Sequence, residues 1–234
     1  MADERVFKLR VTYSKAGRLA LLSHLEIARA LERMVRRANL PYAVSQGFSP
    51  HMRIAFGSAL PVGVGSACEI FDLALTDYRA PQTALAALQA AAPADLMPKS
   101  AEYLEPGAPA ASVAFPVSVY RALIEWPQDF REEEESTDAF ALPIPETITV
   151  PRKKGDKVYV VADYLEQAPV AYGPLVVFAL RSRDTGSLRA DVFLRSCLET
   201  LARAQVQDAV DAPKAYNMGL PQVRALTRIE QRAR

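Results

Sequence analysis

The sequence is poor in cysteine and has no long apolar run. Its 234 residues include two cysteines, Cys68 and Cys197, which lie far apart and form no CxxC pair. Such cysteines are typical of buried thiols in a reducing cytoplasm and argue against a zinc site or an iron–sulfur cluster. No apolar run reaches the roughly 18 residues that span a bilayer, and the N-terminal MADERVFKLR lacks the apolar segment of a signal peptide. We therefore expect a cytoplasmic protein with no bound cofactor or metal and no membrane partner.

Familiar catalytic signatures are also missing. The sequence contains no GxxxxGK[ST] loop, no GxSxG elbow and no HExxH helix. The acidic run Glu132–Glu135 has no histidine or asparagine beside it, which is typical of a solvated segment and not of a metal site. These absences favour a binding module over an enzyme.

The formal net charge of +1 conceals an uneven distribution. The first 60 residues carry ten basic side chains against four acidic ones, whereas residues 102–146 carry ten acidic side chains against two basic ones. Charge asymmetry of this kind bears on partners and not on fold. It indicates an anionic partner for the N-terminal half.

Hydrophobic patterning predicts an α+β fold of two ferredoxin-like (βαββαβ) units in tandem, with antiparallel sheets that carry helices on one face. The first unit spans residues 1–104, a Pro/Ala/Gly-rich linker covers 105–114, and a more divergent second unit spans 115–234. The main helix of the first unit begins at a capping box, Ser23-x-x-Glu26, and ends before Pro41. Apolar spacing predicts that its buried stripe consists of Leu25, Ala28, Leu31, Val35 and Ala38.

Basic residues on this helix and just before it form the first candidate site. They are Lys15, Arg18, Arg29, Arg33, Arg36 and Arg37. Guanidinium groups bind phosphate oxygens in a bidentate way, and a cluster of them releases counterions from nucleic acid. The competing interpretation is a solvated helix face on which Glu26 and Glu32 pair with arginines. The scarcity of lysine on the helix favours phosphate binding.

The segment SQGFSPH at residues 45–51 is the second candidate site. Gly47 permits a positive φ or a close approach to a ligand, and Phe48 is an aromatic side chain that can stack on a base. Gln46, His51 and Arg53 offer polar contacts to the same base. Alternatively, the segment is a bulge or hairpin in which Phe48 folds back onto the core.

The two histidines of the chain, His24 and His51, are the weak candidates for catalysis. A neutral imidazole can act as a general base. Such a role requires both rings on one side of the sheet, which the sequence does not establish. A structural or surface role is the favoured interpretation for each.

Residues 13–63, YSKAGRLALLSHLEIARALERMVRRANLPYAVSQGFSPHMRIAFGSALPVG, resemble a bacterial family, the radical-SAM-linked domain of unknown function. Its members carry a pattern like YSK-x-GRL, LSHLD, an arginine-bearing helix and SQGFNP; this chain has Glu26 for the aspartate and Ser49 for the asparagine. The resemblance implies a separate neighbour of a radical S-adenosylmethionine protein. The chain lacks the CxxxCxxC motif of the radical enzyme itself, and the family supplies no catalytic residues to carry over.

Together these features predict an RNA-binding accessory module that works with a radical-SAM enzyme in tRNA or rRNA modification. One alternative is a protein adaptor that docks on the radical-SAM partner without RNA. Another is a metal-independent endoribonuclease, by fold-level analogy with RNA-processing RAMP proteins. Neither the RNA, the oligomeric state nor the packing of the two halves follows from the sequence.

Overall fold

The computed structural model describes residues 6–127, 139–153, 155–208 and 220–233. It is a mixed α+β structure with a mostly antiparallel sheet, so the predicted fold class is confirmed at that level. Contacts divide the chain into two compact units, Met1–Pro116 with Gln231–Arg234 and Val117–Glu230. The acidic run Glu132–Glu135 lies outside the described residues.

The first unit contains four strands and three helices within the described residues. In chain order they are β1 (Phe7–Lys15), α1 (His24–Arg37), β2 (Ile54–Phe56), β3 (Gly65–Leu75), α2 (Pro81–Ala91), β4 (Pro98–Tyr103) and α3 (Ala111–Ala114). A 3₁₀ turn, Gly17–Leu21, precedes α1. The strands pair in the order β4-β1-β3, and β2 also pairs with β3. The element order up to β4 is the one that the sequence predicts.

Side-chain alternation on β1 builds the core of this unit. Successive strand residues point to opposite faces of a sheet, and the odd-numbered Leu9, Val11 and Tyr13 are all buried with the helices. The buried residues of α1 in this core are Ile27, Leu31, Met34 and Val35. The predicted stripe is therefore wrong at Leu25, which is 69% exposed. Leu31 and Val35 belong to both the predicted and the observed buried stripe of α1. The spacing of apolar residues alone therefore did not decide which of their apolar neighbours contact the sheet.

The other face of the first sheet is covered by the segment after β4. Arg10 on β1 lies directly opposite Asp72 on β3, and its Nε and Nη2 donate to the two carboxylate oxygens at 2.7 and 2.8 Å. Arg10 Nη2 also donates to the carbonyl of Pro109 at 2.9 Å, and the Ala111 amide donates to Asp72 at 3.3 Å. The segment predicted to be a linker at 105–114 thus packs on the first unit, whose boundary falls at Pro116.

The second unit consists of strands with one long helix in its described part. The elements are β5 (Val117–Glu125), β6 (Phe140–Ala141), β7 (Thr147–Val150), β8 (Lys157–Val160), β9 (Leu165–Tyr172), β10 (Leu175–Arg181), α4 (Ala190–Asp208) and β11 (Gln222–Arg232). The order in the sheet is β11-β5-β10-β9-β6, and β7 pairs separately with β8. Phe193 of α4 packs on Phe178 of β10 with ring centroids 5.2 Å apart. The sequence predicts the β7–β8 hairpin, β10 and α4 but not β9.

Candidate functional site

The capping box of α1 forms as predicted and engages one of the two acidic residues of the helix. The Ser23 amide and hydroxyl donate to a carboxylate oxygen of Glu26 at 2.8 and 2.7 Å, and the Glu26 amide donates to the Ser23 hydroxyl at 3.4 Å. Hydrogen bonds from Ser23 lower the pKa of Glu26. This carboxylate is therefore held at the helix start and remains ionised.

Four arginines form one solvent-facing side of α1, which we call the arginine face: Arg29, Arg33, Arg36 and Arg37. All four are exposed. At about 100° of rotation per residue, they span an arc of roughly 100° on the side opposite the buried stripe. The arginine face is therefore a single surface and is not scattered around the helix.

Most arginines of the arginine face form no ion pair with a carboxylate among the described residues. Arg36 Nη2 lies 3.4 Å from Glu32 Oε2, in a pair that is largely exposed and therefore weak. Among the described residues, no carboxylate lies within ion-pairing distance of Arg29, Arg33 or Arg37. Four arginines of the second unit do pair with carboxylates, as Arg181–Glu166, Arg183–Asp163, Arg189–Asp191 and Arg224–Glu125.

The two basic residues before α1 differ in their placement. Arg18 is exposed on the 3₁₀ turn. Lys15 is 3% exposed, and its Nζ donates to the carbonyl of Leu22 at 3.1 Å. Lys15 therefore does not join the exposed basic residues. The register between β1 and β3 shifts between Tyr13 and Lys15, so the alternation of apolar and polar residues on β1 does not by itself predict the burial of Lys15.

The 45–51 loop leaves the sheet through a narrow, hydrogen-bonded base. Ala43 and Arg53 both bond to Ala74 of β3, and the Arg53 amide donates to the carbonyl of Ala43 at 2.8 Å. One step further out, the Ser45 amide donates to the His51 carbonyl at 2.8 Å, and the His51 amide donates to the Ser45 hydroxyl at 3.0 Å. The loop is thus an insertion into a strand that otherwise runs along β3.

Phe48 lies at the tip of this loop with a relative exposure of 112%. The alternative in which its ring folds back onto the core is therefore wrong. Gln46, His51 and Arg53 are exposed as well. Met52, by contrast, is buried in the same apolar cluster as the inner side of α1. The loop is consequently anchored in the core at its base and open to solvent at its tip.

The two histidines show no arrangement for acid–base catalysis. The His24 ring makes an edge-to-face contact with Phe56, with centroids 5.2 Å apart. Within the described part of the chain, no side-chain hydrogen bond involves either imidazole, so neither ring is oriented by a carboxylate. Over the same residues, no group of three or more His, Cys, Asp or Glu side chains is arranged to hold a metal ion.

A small apolar patch lies beside the start of α1. Leu21 and Val62 are 66% and 56% exposed, and Leu25 is exposed as stated above. The amide of Gly63 donates to the carbonyl of Ala20 at 2.9 Å, which brings the residues on either side of this bond together. We define the apolar patch as Leu21, Leu25 and Val62.

Neither Cys68 nor Cys197 takes part in a disulfide. Burial of Cys197 raises its pKa to about 12. In the ranges that the structure describes, no helix is long and apolar enough to cross a membrane.

Geometry and sequence together define an α+β protein with a basic helix face and a protruding aromatic loop. Residues 8–190 match a family described as "uncharacterized protein conserved in bacteria (DUF2344)". The match covers more than half of the chain, and the protein belongs to this family. No curated protein matches it. The family description names no partner or activity, so the association with a radical-SAM protein stays a prediction.

Proposed function

We propose that the protein is an RNA-binding accessory module whose arginine face holds phosphates. The observation that carries the proposal is the set of Arg29, Arg33 and Arg37, three exposed guanidinium groups on one side of one helix without a paired carboxylate among the described residues. Unpaired arginines bind phosphate oxygens without first breaking an internal ion pair. Arg18, exposed just before the helix, extends the same charge.

The sheet itself is a poor candidate for RNA binding. In one common RNA-binding fold, aromatic residues on an open four-stranded sheet stack on bases. Here the sheet face that carries Arg10 and Asp72 is covered by the segment around Ala111, and the other face is packed against α1 and α2. The helix surface and the 45–51 loop are the exposed alternatives in this unit.

The strand orders support two ferredoxin-like units in tandem. The first unit has the order β4-β1-β3-β2, which is that of a βαββαβ split unit. In the second unit β11, β5, β10 and β9 lie in the corresponding positions. The segment between β5 and β9 carries the β7–β8 hairpin where the first helix of such a unit belongs.

The resemblance of residues 13–63 to radical-SAM-linked domains supplies the biological setting. In this proposal the partner is a radical-SAM enzyme, the RNA is a tRNA or a ribosomal RNA, and the present chain delivers or holds that RNA. His24 and His51 then contribute contacts and not catalysis.

Binding measured across a range of salt concentrations tests the proposal. The probe is a fluorescently labelled single-stranded RNA, with a purified bacterial tRNA as the second probe. The logarithm of the association constant is expected to fall linearly with the logarithm of salt, by about 0.7 per phosphate neutralised on a single strand. Absence of binding, or affinity that is indifferent to salt, contradicts the proposal.

The apolar patch favours a second function, docking on a protein partner. Aliphatic side chains neither stack on bases nor pair with phosphates, whereas exposed Leu and Val side chains fit the apolar anchors of a protein segment. The exposed Arg18 lies three residues before Leu21 and the exposed Arg29 lies four residues after Leu25, so an acidic segment suits this part of the chain. In the setting above this segment belongs to the radical-SAM protein. The expected result is co-purification with that protein that survives ribonuclease treatment and is lost in the L21S/L25S variant. If the double variant co-purifies as the wild type does, the patch is not the docking site.

A further inference from the structure

Phe48 has no structural role that explains its place at the tip of the 45–51 loop. An aromatic side chain with a relative exposure of 112% gains nothing from burial within its own chain. We infer that the 45–51 loop captures one unpaired nucleobase by stacking on Phe48, so that the protein prefers RNA with single-stranded nucleotides to fully paired RNA. This inference rests on the proposed function, since it names the class of RNA that the same module selects.

The base of the loop is organised before any ligand binds. Two hydrogen bonds join Ser45 to His51, and the chain returns to the core at Met52 immediately afterwards. Gly47 has a φ of +134°, and a Cβ atom added there meets nothing within 4 Å. Glycine is therefore required for backbone conformation and not for space. A ring presented by an organised loop loses less conformational entropy on binding than one on a free segment.

The shape of RNA decides which bases such a ring can reach. In a paired A-form helix the bases are stacked on each other and the major groove is too narrow for side chains, so recognition by stacking needs an unpaired, splayed base. Stacking on an aromatic ring tolerates every base because each base has a π-face. The ring alone therefore selects single-stranded nucleotides without selecting a sequence.

Neighbouring residues suit a nucleotide and not a cationic ligand. The loop contains no carboxylate, and the exposed Arg53 follows it. The exposed Gln46 precedes Phe48 by two residues and offers both a donor and an acceptor for the edge of a base. Phosphates on either side of a stacked base are thus not repelled, and the base edge has one polar partner within the loop.

The test compares two labelled RNA probes with the full-length protein at one salt concentration. One is a hairpin with a six-nucleotide loop, and the other is a blunt duplex with the sequence of its stem. Stacking of one base is worth about fivefold to 150-fold in affinity. The wild type is expected to prefer the hairpin by a factor in this range. F48A is expected to lose the preference while its duplex affinity is unchanged, and F48W is expected to restore it.

Two further variants separate the ring from its support. G47A keeps Phe48 but strains the backbone at its positive φ, and it is expected to reduce the hairpin preference. V113A alters another exposed apolar side chain, on α3, and is expected to leave both affinities unchanged. Circular dichroism checks that each variant remains folded. We expect this for the Phe48 and Val113 variants because both side chains are exposed.

The outcomes distinguish failure of this inference from failure of the proposed function. If the wild type binds neither probe, both are overturned. If it binds both probes equally, or if F48A keeps the hairpin preference, the inference is overturned while RNA binding through the arginine face stands. If F48A binds RNA as the wild type does but loses co-purification with a protein partner, Phe48 is a protein anchor and the inference is likewise overturned.

Discussion

Replacing Asp72 by alanine tests the account of how the first unit is held together. Asp72 accepts two hydrogen bonds from Arg10 and one from the Ala111 amide, and the Arg10 and Asp72 side chains are each only 8% exposed. The carboxylate of Asp72 raises the pKa of Arg10, chiefly through these hydrogen bonds. In D72A the guanidinium keeps the Pro109 carbonyl and the nearby Phe115 ring but loses its hydrogen-bonded carboxylate. The charge of Glu102, which lies opposite Arg10 on β4, remains.

The expected loss follows from leaving the buried guanidinium without its hydrogen-bonded carboxylate. Removing one member of a buried pair costs about 3–5 kcal/mol. The residual exposure at this site gives an expected loss near the lower end, about 3 kcal/mol. A paired replacement with apolar side chains, R10M/D72L, removes both charges and is expected to recover much of that loss, because buried ion pairs and well-packed apolar pairs are often equally stable.

Urea unfolding followed by far-UV circular dichroism measures the change in the free energy of unfolding. Urea is chosen because the denaturant guanidinium chloride would screen the ion pair. Trp126, the single tryptophan, lies in the second unit, so its fluorescence reports on that unit separately. E32A is the matched control, since it breaks the exposed Arg36–Glu32 pair and should cost about 0.3–0.5 kcal/mol. If D72A loses no more stability than E32A, the argument that the covering segment seals this ion pair is refuted.

Two further predictions concern titratable groups. The pKa of Glu26 is lowered from 4.5 by the hydrogen bonds of the capping box. Because the pKa is lower in the folded state than in the unfolded state, the ionised carboxylate stabilises the fold above pH 4.5. This contribution disappears as the pH falls through the folded-state pKa. In urea titrations from pH 7 to pH 3, E26Q should therefore lose less stability than the wild type, and identical acid profiles would contradict the capping box. The pKa of Cys197 is raised to about 12 by burial. In a C68S background, iodoacetamide should therefore not label Cys197 at pH 8 until urea unfolds the chain. Rapid labelling of the native protein would show that Cys197 is accessible and would contradict this prediction.

Local signals in the sequence were sufficient for the elements of the first unit as far as β4. The Ser23–Glu26 capping box and the Pro81 start of α2 determine helix ends by short-range chemistry, and both helices form where expected. The buried stripe of α1 was less certain. Leu25 and Ile27 are both apolar, and only contact with the sheet selects Ile27.

Contacts between distant segments could not be predicted in the same way. Arg10 alternates with apolar residues on β1, which favours a solvated position, yet Asp72 and the segment at Pro109 bury it from 62 and 99 residues away. Composition alone favoured a linker at 105–114 because proline and alanine do not reveal a packing partner. The exposure of Phe48 likewise depends on the Ser45–His51 hydrogen bonds, which the spacing of the loop does not specify.

The most direct test of the central claim is the salt dependence of RNA binding in a variant of the arginine face. The logarithm of affinity for single-stranded RNA is measured against the logarithm of salt for the wild type, for R33Q/R37Q and for R121Q, which alters an exposed arginine on β5. The account predicts that the slope becomes shallower by about 1.4 in the double variant, at about 0.7 per lost phosphate contact, and is unchanged in R121Q. Equal slopes for the wild type and the double variant would contradict it.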